Sequence, residues 1–248
     1  MRPSVTTAVI LAAGLGSRLK DRTREKPKAF LEINGKSLIV RSIENLLSRG
    51  IQKIIIGTGY MNQYFDSLRD VFPQVITMRN SEFASTGSMY TLFVLREVID
   101  KPFLLLEGDL LYEPAALDNL LQDSVADIIL GSDATHSGDE VYIQCSVDGF
   151  LQVMNKNKNA LAHVDAELIG ISKLSLEGYH HMVAYAEEKY LQGIKDIHYE
   201  DAFVGIAATR NITIKIVKDL AWCEIDDEQH LNRALSVVYP KILERSAS

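Results

Sequence analysis

The chain has 248 residues, of which 47% are hydrophobic, and this is enough for one large α/β domain with a sizeable core. The net charge of −7 argues against a surface that binds nucleic acid, and the two cysteines, Cys145 and Cys223, lack metal-like spacing. No apolar run approaches the roughly 18 residues that a membrane span needs. We therefore expect a single cytoplasmic domain over residues 1–248 that binds neither nucleic acid nor membrane.

The first predicted element is a buried strand at residues 7–13, because this run is short, apolar, partly β-branched and ended by glycine. It leads into Gly14-Leu15-Gly16-Ser17-Arg18, and Pro27-Lys28 follows ten residues later. A glycine-rich turn after a strand leaves backbone N–H groups free to bind an anion, and the missing Cβ atoms let phosphate oxygens approach closely. The turn therefore predicts a phosphate site, against the alternative of a tight strand–helix turn that binds nothing.

Two charged residues strengthen the phosphate interpretation. Arg18 offers a planar guanidinium suited to a polyphosphate, and Lys28 offers a mobile point charge. The two best-known phosphate loops are excluded, because no Gly-Lys-Ser/Thr ends the loop and Leu19 stands where a dinucleotide fingerprint needs its third glycine. The loop is therefore of another kind.

Further along the chain, short apolar runs alternate with segments of helical periodicity. The predicted strands are residues 53–57, 75–78, 103–106, 127–132, 140–147, 151–154, 166–172 and 213–217. The first predicted helix runs from an N-cap at Ser37 to about residue 49, and the second follows the strand at 53–57 and runs to about residue 69. Further helices are predicted over 88–98, 176–191 and 199–208, with a closing helix from about 228. This order predicts an α/β fold with a doubly wound, mixed and mostly parallel sheet of Rossmann-like type. Ligands of such sheets bind beyond the carboxyl ends of the strands.

Two polar segments follow predicted strands and therefore lie at that edge. Residues 80–90 are rich in small polar residues, and Thr86-Gly87-Ser88 can open a helix towards the site, although an ordinary capped loop is the competing interpretation. Glu107-Gly108-Asp109 ends another strand, and hard carboxylate oxygens are the ligands that Mg²⁺ prefers. A solvated turn is the alternative there, and for Glu107 both interpretations stay open.

The run Leu-Ala-Ala-Gly-x-Gly-Ser-Arg-Leu, followed by Pro-Lys-Ala, resembles the signature of the GT-A-like nucleotidyltransferase superfamily, which makes NDP-sugars and CDP-alcohols. The resemblance implies that the glycine turn holds a triphosphate and that Lys28, Arg18 and Asp109 are the catalytic residues. It also implies a Mg²⁺ site on Asp109 and Asp226, the latter in a late acidic turn where Asp227 competes as a helix N-cap. The implied nucleotide-binding residues are Leu11, Ala12, Ala13, Gly14, Gly16, Ser17, Arg18, Lys28, Gly59, Thr86, Gly87 and Ser88.

Stretches 83–90, 107–113, 137–142 and 222–230 are similar to the CTP:2-aminoethylphosphonate cytidylyltransferases, whose sister group is the CTP:phosphocholine cytidylyltransferases. The resemblance implies transfer of CMP from CTP to 2-aminoethylphosphonate by Mg²⁺-assisted in-line attack, with release of pyrophosphate. Alternative acceptors are phosphocholine, phosphoethanolamine or a sugar 1-phosphate. A further alternative is that the protein is a nucleotide-binding regulator without turnover. A functional association with an aminotransferase is a possible partner relationship, and the oligomeric state is left open.

The acceptor's amine decides between these substrates. A primary ammonium group favours carboxylates, whereas a trimethylammonium group favours an aromatic cage. The candidate substrate-binding residues are Glu107, Asp133, Glu140, Tyr142, Lys156, Glu200 and Asp201. With one tryptophan in the chain, the acidic candidates favour the primary amine, but ten tyrosines leave a cage open.

Overall fold

A computed structural model describes residues 5–246, apart from the side chains of residues 20 and 21. The strands are β1 (Thr7–Ala12), β2 (Glu32–Ile33), β3 (Lys36–Ser37), β4 (Lys53–Thr58), β5 (Val75–Arg79), β6 (Phe103–Glu107), β7 (Leu110–Tyr112), β8 (Ile128–Ser132), β9 (Tyr142–Cys145), β10 (Leu151–Asn155), β11 (Ala166–Leu174), β12 (Thr213–Val217) and β13 (Trp222–Glu224). The helices are α1 (Leu38–Leu47), α2 (Gln63–Asp66), α3 (Leu68–Val71), α4 (Ser88–Val94), α5 (Ala115–Leu121), α6 (Leu176–Leu191), α7 (Tyr199–Ala207), α8 (Glu228–Arg233) and α9 (Tyr239–Ser246). Short 3₁₀ turns lie at Ser17–Thr23, Lys28–Phe30, Leu95–Glu97 and Lys158–Ala160, and a π-helical turn at Ala234–Val238 joins α8 to α9.

The main sheet is mixed, with the strand order β10-β9-β11-β6-β1-β4-β5 and with β8 joining β11 to β12. Strands β6, β1, β4 and β5 are parallel to one another, whereas β11 runs antiparallel to β6, β8 and β9. The predicted α/β fold with a mixed, mostly parallel sheet is confirmed. Its parallel strands direct the ends of β1 and β6 to the same edge.

Strand β1 lies between β6 and β4 in the sheet, and both of its faces are covered. Side chains of a strand point alternately to opposite faces, so Val9 and Leu11 pack with α4, α6 and α7, while Ala8 and Ile10 pack with α1 and α5. Helix α1 begins at the predicted cap, since the Ser37 hydroxyl accepts the N–H of Val40 at 3.4 Å. The two buried layers hold the glycine loop after β1 at the edge of the sheet.

A separate two-stranded ladder pairs β7 with β13 in antiparallel register, with Leu110 opposite Glu224. The sequence analysis did not predict β7 or α5. The ladder continues past the end of β13, where the N–H of Ile225 donates to the carbonyl of Asp109 at 3.2 Å. This pairing carries a segment from near the end of the chain to the end of β6.

Several predicted boundaries differ from the observed ones. The helix predicted to about residue 69 is two short helices, α2 and α3, and the strand predicted over 140–147 is limited to β9, because the chain turns where Gly149 N–H donates to Ser146 O. Among the described residues, no helix is long and apolar enough to cross a membrane.

Candidate active site

Three segments meet beyond the carboxyl edge of the sheet: the loop after β1, the end of β6 and the end of β13. Two adjoining cavities open there, with volumes of about 660 Å³ and about 230 Å³. The predicted site residues that line one or both cavities are Leu11, Ala12, Ala13, Gly14, Gly16, Ser17, Arg18, Lys28, Thr86, Gly87, Ser88, Glu107, Asp109, Glu140, Lys156, Glu200, Asp201 and Asp226. The fold therefore gathers most of the predicted site around one opening.

Three predicted residues lie away from both cavities. Gly59 packs behind the glycine loop, where a Cβ would lie 2.6 Å from the carbonyl of Ala13. The Asp133 carboxylate accepts the N–H of Asp219 at 3.1 Å, and the Tyr142 hydroxyl donates to Glu140 at 3.3 Å. The structure does not bring these three residues to the opening, because Gly59 is packed against the loop after β1 and the side chains of Asp133 and Tyr142 bond to their own neighbours.

Lys28 is the central cation of the site. Its ammonium group contacts Asp109 Oδ2, lies 2.5 Å from Asp226 Oδ1, and is 4.0 Å from Glu224 Oε1. Burial alone lowers the pKa of Lys28, but the three carboxylates outweigh burial and raise the pKa well above its ordinary value. The ammonium group therefore stays protonated near neutral pH despite its burial.

The carboxylates around Lys28 have divergent acidities. Burial raises the pKa of Glu107 to about 8 and that of Glu224 to about 11, and the neighbouring negative charges add to both shifts. Burial also acts to raise the pKa of Asp226, but Lys28 and Arg18 outweigh it and hold that pKa below its ordinary range. The crowding of carboxyl groups therefore makes Glu107 and Glu224 hold their protons more tightly, whereas Asp226 stays ionised beside Lys28 and Arg18.

This acidic cluster fits a hard divalent cation. One carboxylate oxygen from each of Glu107, Asp109 and Glu224 lies within 4.8 Å of the others, and Asp109 Oδ1 is buried without a hydrogen-bond partner. Oxygen-only donors at the end of a strand suit Mg²⁺ or a similar ion. Asp226, predicted as a metal ligand, lies across Lys28 from Asp109 and holds both Lys28 and Arg18.

The competing assignment of Asp227 as a helix cap is correct. Its side chain accepts the N–H of His230 at 2.8 Å and begins α8. The sequence analysis missed Glu224, and a signal for it was present: residues two apart on an extended segment face the same side, so Glu224 belongs with Asp226.

Arg18 and Lys156 are held by a residue that the sequence analysis did not select. Asp139 accepts from the Arg18 guanidinium at 2.7 Å and from the Lys156 ammonium at 2.9 Å, and a second Arg18 nitrogen lies 2.8 Å from Asp226 Oδ2. Arg18 and Lys156 are more than half exposed, and exposed ion pairs contribute little stability. A bound polyphosphate can therefore replace Asp139 on Arg18 and Lys156 at little cost, whereas the Asp226 carboxylate is only 7% exposed.

The start of α7 forms the opposite wall of the larger cavity. The Tyr199 hydroxyl donates to Glu107 Oε1 at 2.7 Å, which links this wall to the acidic cluster. Glu200 Oε2 is buried without a hydrogen-bond partner, and burial raises the pKa of Glu200. Asp201 accepts the N–H of His198 at 2.7 Å and so caps α7. Glu200 is therefore the carboxylate on this wall with a free oxygen for a ligand.

The polar segment at residues 80–90 is fastened to α7. Ser88 Oγ accepts the N–H of Tyr199 at 3.0 Å, and a Cβ on Gly87 would lie 2.0 Å from the carbonyl of Ile197. Thr86 Oγ1 accepts from the Asn80 amide at 3.0 Å. Ser88 thus joins the two walls of the cavity, a role that sequence spacing does not reveal.

Comparison with known proteins is consistent with this geometry. A model of the MobA-like NTP transferase domain matches residues 8–193. The CMP-5′-(3-aminopropyl)phosphonate synthase of Streptomyces rubellomurinus is 25% identical over 234 residues, covering 89% of this chain and 37% of that protein. The CTP:phosphoglutamine cytidylyltransferase of Campylobacter jejuni is 26% identical, covering 88% of this chain and 95% of that protein.

A third relative is the 2-aminoethylphosphonate cytidylyltransferase of Lancefieldella rimae, 29% identical over 39% of this chain and 39% of that protein. The chain thus spans only about two fifths of the first and third of these relatives. Among solved structures, the CTP:phosphocholine cytidylyltransferase of Streptococcus pneumoniae has a TM-score of 0.79 at 23% identity, covering 94% of this chain and 99% of that one, and this likeness supports the fold. Since the family match extends over most of the chain and includes the glycine loop, Lys28 and Asp109, the protein belongs to the MobA-like NTP transferase family.

Proposed function

We propose that the protein is a cytidylyltransferase that transfers CMP from CTP to 2-aminoethylphosphonate and releases pyrophosphate. The observation that carries the proposal is the position of Lys28, a protonated ammonium group that lies between Asp109 and Asp226 and lines the smaller cavity together with the glycine loop. The relatives that act on aminoalkylphosphonates support the acceptor class.

The chemistry needs no covalent intermediate and no general base. A phosphonate oxygen is already ionised near neutral pH, so it can attack the α-phosphorus of CTP in line while pyrophosphate departs. The protein then has to position the reactants and offset negative charge. In this assignment Lys28 meets the charge on the α-phosphate, and the backbone of residues 14–18 with the Arg18 guanidinium holds the leaving pyrophosphate.

The acidic cluster is the proposed Mg²⁺ site. Asp109 and Asp226 are the expected ligands, and Glu107 and Glu224 offer further oxygens beside Asp109. A bound Mg²⁺ would neutralise charge on the triphosphate. Lys28 lies between the carboxylates of Asp109 and Asp226. When a bound Mg²⁺ offsets their negative charge, the Lys28 ammonium group can turn towards a phosphate.

The acceptor's ammonium group is assigned to the wall formed by α7. Glu200 supplies a buried carboxylate oxygen without a partner, and Glu107 lies behind it, bonded to Tyr199. A primary ammonium group has three donors for such oxygens. One observation favours the alternative acceptor, phosphocholine: Trp222 and Tyr199 both line the cavity and offer aromatic faces to a trimethylammonium group.

The test is pyrophosphate release from CTP and Mg²⁺ with 2-aminoethylphosphonate, phosphocholine, phosphoethanolamine and glucose 1-phosphate in parallel. Preference for the phosphonate would support the full proposal, and preference for phosphocholine would retain the mechanism but reject the acceptor. No release with any acceptor, despite CTP binding, would indicate a nucleotide-binding regulator.

The assignment of Lys28 is tested by Lys28→Met, which should lower kcat by about a thousandfold, the scale of removing one charge-stabilising group at a reacting centre. Lys26→Met is the matched control, because Lys26 pairs with Glu32 on the surface and lines neither cavity. Near-normal turnover of Lys28→Met would reject the proposed role of Lys28.

A further inference from the structure

His230 is a buried residue on the first turn of α8 that contacts two separate segments of the site. Its Nδ1 lies 3.3 Å from the backbone nitrogen of Asp226, and its Nε2 lies 3.1 Å from the backbone carbonyl oxygen of Ser137. Only 5% of His230 is exposed. The ring therefore bridges the acidic turn after β13 and the loop before β9, at the wall of the larger cavity.

The two partners determine how the ring is protonated. A backbone N–H can only donate and a backbone carbonyl can only accept, so Nδ1 accepts and Nε2 carries the hydrogen. Both bonds are satisfied by one neutral tautomer. Both ring nitrogens of His230 are thus occupied by hydrogen bonds to the backbone, so the ring has no free donor or acceptor for a substrate.

These contacts form part of a closed ring of interactions. From Ser137 the loop reaches Asp139, which holds Arg18, and Arg18 holds Asp226, whose N–H returns to His230. The loop of residues 137–140, here called the acidic loop, is therefore attached at two points. The outer attachment is Asp139, which is held by the exposed cations Arg18 and Lys156, and the inner attachment is the partly buried bond from His230 to Ser137.

The two attachments respond differently to a nucleotide. Arg18 is the cation assigned to the pyrophosphate and Lys156 is the other exposed cation on Asp139, so a bound triphosphate competes with Asp139 for both and loosens the outer attachment. The bond from His230 to Ser137 involves no charged group that binds phosphate, and it persists. We propose that His230 is a positioning residue that keeps the acidic loop against the cavity when Arg18 turns to the nucleotide. The consequence for catalysis rests on the proposed function, whereas the holding of the loop does not.

Hydrogen exchange on the ligand-free protein tests the holding of the loop directly. His230→Phe keeps the ring's bulk but loses both bonds, and it should speed amide exchange in residues 137–140 by about tenfold through local opening. Asp139→Asn, which weakens only the outer attachment, should leave that exchange within about threefold of the wild type. If Asp139→Asn frees the loop and His230→Phe does not, the proposal is wrong.

Two amide variants separate positioning from a general loss of packing. His230→Gln extends far enough for its amide to replace the Nε2 donor to Ser137, whereas His230→Asn places its oxygen only where Nδ1 lies. Exchange in the loop should return towards the wild-type rate in the Gln variant and stay fast in the Asn variant. Equal exchange in the two variants would contradict the proposed role of the Ser137 bond.

Kinetics supply the catalytic readout. His230→Phe should raise the KM for CTP and the acceptor by about tenfold relative to His230→Gln, because both variants lose the bond from the Asp226 N–H and only the Gln variant keeps a donor to Ser137. His181→Phe, at an exposed position on α6, is the control and should change neither constant. A His230→Phe variant with wild-type KM values would refute the catalytic consequence. Absence of turnover in the wild type would reject the proposed function, and the exchange experiment would still decide the role of His230.

Discussion

Gly170 on β11 provides a sharp test of the role assigned to Glu107. Its φ of +81° lies in the left-handed region, and a Cβ built there would lie 2.3 Å from Glu107 Oε2. Ordinary van der Waals contact needs more than about 3.4 Å, so Gly170→Ala must displace the Glu107 carboxylate by about 1 Å. The substitution therefore perturbs the acidic cluster from behind, without changing any residue of the cluster.

The chain contains a matched control for the backbone cost. Gly193 has the same φ of +81°, but nothing lies within 4 Å of its missing Cβ. An alanine in this conformation costs about 1–2 kcal/mol at either position. In urea unfolding Gly193→Ala should therefore lose only this backbone cost, and Gly170→Ala should lose in addition the stability of the Glu107–Tyr199 hydrogen bond that it disturbs.

The two variants should differ in activity. In an assay above the Glu107 pKa of about 8, moving the ionised carboxylate disturbs its 2.7 Å hydrogen bond from Tyr199, and a hydrogen bond to a charged group contributes about 1.5–3 kcal/mol. At about 1.4 kcal/mol for each factor of ten, kcat/KM of Gly170→Ala should fall by about 10- to 100-fold relative to Gly193→Ala. Equal kcat/KM values would refute the reasoning, because they would show that the position of Glu107 does not affect the reaction.

Three further predictions concern the charges of the site. A carboxyl whose pKa is raised on folding, such as Glu107 at about 8, stabilises the protein fully below its unfolded pKa, and this contribution is lost as pH rises through about 8. The Tm of the metal-free protein should therefore fall between about pH 4.5 and pH 8 as the cluster loses its protons. Added Mg²⁺ should restore the Tm at pH 8, and a rise in Tm with Mg²⁺ that is the same at every pH would contradict this. Glu224→Gln should weaken the Mg²⁺-dependent rise in Tm, whereas Asp227→Ala should cost about 1 kcal/mol of stability through its lost cap and keep that rise. Glu200→Gln should raise the KM for 2-aminoethylphosphonate by about tenfold with little change in the KM for CTP, and unchanged acceptor kinetics would remove Glu200 from the amine subsite.

Local patterns were sufficient to predict much of the fold and the phosphate loop. Strand β1, the Ser37 cap, the bounds of α6 and the glycine loop all depend on interactions within a few residues of sequence, and the order of strands and helices indicates which ends share an edge. Lys28 and Asp109 also follow strand ends, so their meeting is a consequence of the parallel sheet.

Only the tertiary structure decided which acidic residues lie beside Lys28 and Asp109. The β7–β13 ladder pairs segments more than a hundred residues apart, and its register alone brings Glu224 and Asp226 beside Asp109. Asp139 reaches Arg18 through a loop held by His230, a pairing that no local pattern encodes. The sequence determined the glycine loop after β1 because short-range conformational preferences depend on adjacent residues. The acidic cluster was decided by long-range pairing, because the register between distant strands depends on how the whole chain packs.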